Sequence, residues 1–209
     1  SVAEEHRRAR REIPGLKEKN IKIAMDEWNY WYGPNRYGEG GVRFSLQDGL
    51  GIAAGLHEFF RNSDIYFMAN YAQAVNVLGA IKTTKTEAEF EPTGLVLKLY
   101  RQNFGTIPVE VSGNYAPLDI EAAWTENKAS VTVGVVNPTQ ESHVLSLGLI
   151  GSERTENGHQ WTITGSNRWA HNAPGESRQV DVKATSFSSS LNEVEIPSLS
   201  VTLLSLPVE

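Results

Sequence analysis

Ile21-Lys22-Ile23-Ala24-Met25-Asp26-Glu27-Trp28-Asn29-Tyr30-Trp31-Tyr32 is the stretch on which the reading of this 209-residue chain turns. Its first five residues form a short apolar run, the pattern of a buried strand. A period of two places Ile21, Ile23, Met25 and Glu27 on one face and Asp26 on the other. An aromatic-rich loop follows, with five aromatic residues between Trp28 and Tyr37. Sugar rings stack their C–H faces on aromatic side chains, and their hydroxyls need polar partners such as Asn and Gln. A carboxylate at a strand end among such residues fits glycoside chemistry. A core acid satisfied by backbone N–H groups beside packing aromatics has the same composition, so composition alone leaves the two readings even.

The flanking segments supply an architecture. Val2–Glu12 has the spacing of an amphipathic helix, stopped near Pro14-Gly15. Ser45-Leu46-Gln47-Asp48 matches a capping box and opens a helix with Leu46, Leu50, Ala53, Ala54, Leu56, Phe59 and Phe60 at helical spacing. Residues 65–69 read as a second buried strand. After Pro92, Thr93 is placed to cap a further helix through Leu95, Leu97, Leu99 and Tyr100, ended by Asn103 and Gly105. Alternating strands and helices are the rhythm of a parallel α/β structure. In a barrel of that type the C-terminal strand ends face the active site, and Glu27 sits at such an end.

Near residue 105 the pattern changes. Residues 107–111, 118–124, 129–136, 143–149, 160–164, 179–183 and 200–206 read as strands, parted by turn signals such as Glu126-Asn127, Asn137-Pro138 and Asn157-Gly158. About seven such strands in about 100 residues point to a β-sandwich.

Composition excludes several functions. With no cysteine there is no disulfide framework, no Cys-ligated metal and no thiol catalysis. No run approaches the roughly 18 apolar residues of a membrane span, and Ser1-Val2-Ala3-Glu4-Glu5-His6-Arg7-Arg8 is too polar for a signal peptide. The net charge of −6 falls wholly on residues 111–209, which hold 5 Lys/Arg against 11 Asp/Glu. The only basic cluster, Arg7, Arg8, Arg10 and Arg11, is interrupted by acids and reads as a solvated helix face rather than a nucleic-acid site. His6, His57, His143, His159 and His171 lack metal-ligand spacing and read as surface or packing residues. Gly38-Glu39-Gly40-Gly41 lacks the spacing of a dinucleotide fingerprint, and Asn137-Pro138-Thr139 fails as a glycosylation site because of its proline. Trp161 and Trp169 read as sandwich core rather than as a carbohydrate platform. The chain begins without Met inside a helical pattern, which leads us to expect a fragment.

The segment Ile23 to Tyr32 resembles the nucleophile motif of the family fifty-one glycoside hydrolases, chiefly α-L-arabinofuranosidases. Met68-Ala69-Asn70-Tyr71-Ala72-Gln73-Ala74-Val75-Asn76-Val77 matches a second family segment. The intervening helix and Val133-Gly134-Val135-Val136-Asn137-Pro138 are similar as well. The resemblance implies an α/β plus all-β chain, in which residues 1–104 form the last strands and helices of a (β/α)8 TIM barrel and 105–209 a jelly-roll-like β-sandwich. It implies that Glu27 is the catalytic nucleophile of a retaining mechanism, that Trp31 lines the arabinose pocket and that Gln73 hydrogen-bonds the sugar. Asn29 belongs to the same substrate-binding set, although orienting the loop suits it better than touching substrate. No metal or organic cofactor is implied.

The implied partners are an arabinose-containing oligo- or polysaccharide, the N-terminal remainder of the enzyme and further copies in a homo-oligomer. Nucleic acid and membrane are not among them, and a cytoplasmic location is expected. An endoglucanase or xylan-active relative, and a non-catalytic carbohydrate-binding or assembly module, are the alternatives. A retaining pair needs a second carboxyl about 5–5.5 Å from the first. Asp26 points away, Asp48 caps a helix, Glu58 lies at that helix's far end, and Glu39 reads as a solvated loop acid. The family acid/base is a Glu after Asn, yet the one Asn-Glu here, Asn192-Glu193, lies in the sandwich. The acid is therefore expected from an N-terminal remainder of roughly 300 residues, since barrels usually need about 250.

Overall fold

The computed structural model describes residues 1–32, 41–155, 157–188 and 193–209. Tyr37, Gly38, Glu39, Gly40 and Asn192 lie outside the described residues. In chain order come α1 (Val2–Glu12), β1 (Ile23–Trp28), α2 (Leu46–Arg61), β2 (Tyr66–Tyr71), β3 (Ile81–Thr83), β4 (Ala88–Phe90) and α3 (Pro92–Asn103). Then follow β5 (Ile107–Val109), β6 (Asp119–Trp124), β7 (Ser130–Asn137), β8 (His143–Ser146), β9 (Gly158–Thr164), β10 (Asp181–Phe187), β11 (Glu193–Ile196) and β12 (Ser200–Pro207). The fold is sheet-rich with three helices among the described residues. Among the described residues no strands close into a barrel ring: β1 and β2 form a two-stranded parallel pair.

The large sheet has the order β10-β9-β12-β7-β6-β5 and is antiparallel throughout. Both of its faces are covered. On β12, Val201 and Leu203 pack with Leu50, Ala53, Leu95 and Leu99 of α2 and α3. Their neighbours Leu204 and Leu206 turn to the opposite face, against Val194 and Ile196 of the small β8–β11 sheet. This double burial explains why every residue from Val131 to Asn137 on β7 is buried, with Val131, Val133 and Val135 on the β8–β11 side and Val136 on the helix side.

Two sequence expectations are corrected. Thr93 does not cap α3: Glu91 is the N-cap residue, with extended backbone, and Pro92 occupies the first helical turn. A proline there lacks only an N–H that would have had no partner, which moves the helix start upstream. Trp169 is not core, being 63% exposed, whereas Trp161 packs against the helix–sheet core as expected. The short strands β3, β4 and β11 carry no strand signal in the sequence.

The α2–sheet contact carries a buried polar clamp. His57 is fully buried; its Nδ1 lies 2.9 Å from Asp119 Oδ1 and its Nε2 2.6 Å from the Tyr100 hydroxyl. Burial pushes His57 down, against the pull of Asp119. The neutral ring then donates from Nδ1 to the carboxylate and accepts the tyrosine O–H at Nε2. Gly134 on β7 leaves room for this pair, because a Cβ there would meet both Tyr100 Oη and His57 Nε2.

Candidate active site

β1 and β2 run parallel, so their C-terminal ends open on the same side. In their ladder Met25 stands opposite Ala69 and Trp28 opposite Tyr71. Asp26 and Glu27 therefore face the single residue Asn70, a bulge that breaks the two-residue alternation. The two-face assignment read from the sequence holds only as far as Met25. Beyond it, Asp26 and Glu27 are both exposed. Trp28 turns toward α2, edge-on to Phe59 at 4.9 Å and to Tyr71 at 5.8 Å between ring centroids.

The residues after the two strands are tied together. Asn29 Nδ2 donates to the carbonyls of Ala72 (2.7 Å) and Leu78 (2.8 Å), and its Oδ1 accepts the Tyr30 N–H (2.7 Å). Both amide hydrogens of Asn29 are thus engaged by backbone, which makes it the pin between the two strand exits. Gln73, two residues past β2, has an exposed side chain. Its carbonyl accepts the Ala80 N–H at 3.1 Å, which fixes its backbone. Trp31 is 65% exposed. Beside it Tyr30 stacks on Tyr32 with ring centroids 6.4 Å apart, and Tyr32 leans on the buried Phe44. Glu27, Asn29, Trp31 and Gln73 are thus gathered at one end of the parallel pair.

Helix α2 is shaped to receive this loop. Gly51 and Gly55 lie one turn apart; a Cβ at the first would collide with Tyr30 Oη and at the second with the Trp28 ring. The start of the helix is fixed by the foreseen capping box: the backbone N–H and hydroxyl of Ser45 both donate to Asp48 Oδ2, at 2.7 and 2.9 Å. Burial pushes Asp48 up to about 6. It is occupied at the cap, and Glu58 lies near the other end of α2.

Sequence reasoning missed one feature under this face. Glu91 is 1% exposed; its Oε1 accepts the Phe44 N–H at 3.1 Å and its Oε2 lies 3.4 Å from Lys82 Nζ. Lys82 also donates to the carbonyls of Val77 (2.9 Å) and Gly79 (3.3 Å). Burial pushes Glu91 up to about 7, against the opposing pull of Lys82, and pushes Lys82 down. One carboxylate therefore holds the segment leading into α2, the β3–β4 hairpin and the start of α3. The available signal was an acid immediately before a helix-opening proline. No three of the described His, Asp or Glu residues cluster as metal ligands, and no described helix is long and apolar enough to cross a membrane.

Comparison with known proteins adds a family. The profile described as "Alpha-L-arabinofuranosidase C-terminal domain" matches residues 26–200. The intracellular exo-alpha-L-arabinofuranosidase of Bacteroides ovatus is 28% identical over 167 residues, covering 77% of this chain and 31% of its own length. The probable alpha-L-arabinofuranosidase C of Aspergillus niger is 30% identical over 202 residues, covering 87% and 39% respectively. The alpha-L-arabinofuranosidase of Thermotoga maritima, solved as an arabinose complex, shares the fold: TM-score 0.85 at 22% identity, over 99% of this chain and 48% of that one. The chain spans less than half the length of these relatives. Matched over most of its residues by that profile, it belongs to the α-L-arabinofuranosidase C-terminal domain family.

Proposed function

We propose that this chain supplies the nucleophile half of a retaining α-L-arabinofuranosidase that releases terminal arabinofuranosyl residues from arabinan, arabinoxylan or their oligosaccharides. The supporting observation is the exposed Glu27 at the end of β1, beside a parallel strand that ends two residues before Gln73, with Asn29 pinning the two exits together. On this reading residues 1–104 are the last strands and helices of a (β/α)8 catalytic barrel, and residues 105–209 its C-terminal β-sandwich. Glu27 attacks the anomeric carbon while a second carboxyl, on a segment outside this chain, protonates the leaving oxygen. Water, activated by that second group, then cleaves the glycosyl-enzyme bond. Trp31 stacks on the sugar and Gln73 hydrogen-bonds a hydroxyl, while Asn29 holds the loop. The chemistry calls for no metal or organic cofactor, and the assembled enzyme is a cytoplasmic homo-oligomer.

The test is Glu27→Ala in the enzyme assembled with the rest of its barrel. Activity on an aryl arabinofuranoside is expected to fall about 10⁴-fold or more, with folding retained. Azide, acting as an external nucleophile, is expected to restore part of it. Undiminished hydrolysis removes Glu27 from the mechanism. The 209-residue chain alone is expected to show no turnover, because it holds one carboxyl of the pair, and measurable turnover by it overturns the division of labour.

A further inference from the structure

One large aromatic of the sandwich stands in solvent. Trp169 is 63% exposed, while Trp124 and Trp161 pack against the two cores. The segment that carries it is anchored. The Trp169 N–H donates to Asn167 Oδ1 at 2.9 Å, the Ala170 N–H donates to the Asn167 carbonyl at 3.1 Å, and His171 Nδ1 lies 3.2 Å from the Trp169 carbonyl. The same segment closes the N-terminus of α2. The Leu46 N–H donates to the Ala170 carbonyl (2.8 Å) and the Gln47 N–H to the Arg168 carbonyl (3.0 Å). Arg43 Nη1 meets His171 Nε2 at 3.1 Å.

That end of α2 is also the one that receives the candidate active-site loop. Tyr32 leans on Phe44 just before the helix, and Tyr30 lies over Gly51 in its second turn. Two tryptophans, each nearly two-thirds exposed, thus stand on two separate segments gathered at one end of one helix: Trp31 and Trp169. An indole face exposed on a backbone-anchored segment matches the apolar C–H face of a sugar ring. The neighbouring Arg168 is exposed beside it and carries guanidinium donors for sugar hydroxyls, while His171, engaged through both ring nitrogens, fixes the loop.

We propose that Trp169 is an accessory stacking platform, contributed by the sandwich, for a backbone sugar of the polysaccharide beyond the residue being cleaved. The inference rests on the arabinofuranosidase reading and deepens it. It makes the sandwich part of polymer recognition while leaving the chemistry to Glu27.

Affinity electrophoresis of the 209-residue chain in gels containing arabinoxylan tests binding, with Trp169→Ala and Trp169→Tyr as variants. Retardation is expected in the wild-type chain, with apparent affinity about tenfold weaker in Trp169→Ala and partly restored in Trp169→Tyr. In the complete enzyme, the ratio of kcat/KM on arabinoxylan to that on an aryl arabinofuranoside is expected to fall about tenfold in Trp169→Ala. An unchanged ratio together with unchanged retardation overturns the platform. A changed sedimentation coefficient or a lowered Tm of the complete enzyme in Trp169→Ala overturns it too, because the indole then packs against another segment or copy. Those failures are distinct from failure of the underlying reading, which Glu27→Ala tests separately.

Discussion

Glu91 shows how one residue links stability, pH and the candidate site. A carboxyl buried to 1% exposure and pushed up to about 7 binds its proton more readily in the folded protein than in the unfolded chain, where its value is near 4.5. Between those two values the native state holds more protons, so stability falls as pH rises from about 4.5 to about 7. The slope from one such group is at most about 1.4 kcal/mol per pH unit. Asp48, pushed up to about 6, acts with the same sign over the lower part of that window. Glu91→Gln retains an acceptor for the Phe44 N–H but cannot titrate. Urea denaturation at pH 5, 6 and 7 is expected to give a flatter dependence in this variant than in the wild type across the whole range. Parallel curves for the two proteins contradict the assignment. His57 behaves otherwise: burial already holds it neutral, and Asp119 is kept below the usual carboxylate range because hydrogen bonds from His57 and Arg61 outweigh its own burial. That clamp is maintained through neutral pH, while the Glu91 contact responds to it.

At the scale of elements, helix α2 is the scaffold of the candidate site. Gly51 and Gly55, two of its three glycines, cost helix propensity about 1 kcal/mol each, offset by the close approach of Tyr30 and Trp28. Gly55→Ala presses a Cβ against the Trp28 ring, which is packed edge-on to Phe59 and Tyr71, so it is expected to destabilise the chain by about 1–3 kcal/mol despite the gain in propensity. Chemical denaturation measures that loss, and a stabilised variant contradicts the packing. Much of this scaffold is legible in the sequence. Ser45 and Asp48 announce the start of α2, and the apolar residues of β6, β7, β9 and β12 announce strands, because each signal is local. What escapes the sequence depends on a partner. The bulge at Asp26-Glu27 exists only in register with Asn70, and Lys82 reaches Glu91 only because β3 and β4 pair as a hairpin. The four residues of β11 are too short a run to read without β8 opposite them. The four candidate site residues follow from the motif and its family resemblance, and their placement at one end of β1 and β2 follows from parallel pairing. Trp169 departs from the usual burial of tryptophan because the loop that carries it is held across the start of α2.

At the scale of the whole molecule, the change of pattern near residue 105 is a change of topology, while the core runs straight across it. Leu50, Ala53, Leu95 and Leu99 come from before that point, and Val136, Ile163, Val201 and Leu203 from after it, yet all belong to one buried cluster. The large sheet therefore depends on α2 and α3 for one of its two covers. Residues 105–209 expressed alone are expected to expose that face, to bind a hydrophobic dye and to aggregate at concentrations where the complete chain stays dispersed. Leu203→Ala tests the same coupling in the intact chain. It removes a fully buried side chain from the shared cluster and is expected to cost about 2–5 kcal/mol. Because helices and sheet share the loss, far-UV circular dichroism and tryptophan fluorescence should report one coincident transition, shifted together to lower denaturant. Two separated transitions, with the helical signal unmoved by the substitution, contradict the shared core and make residue 105 a boundary of stability as well as of topology.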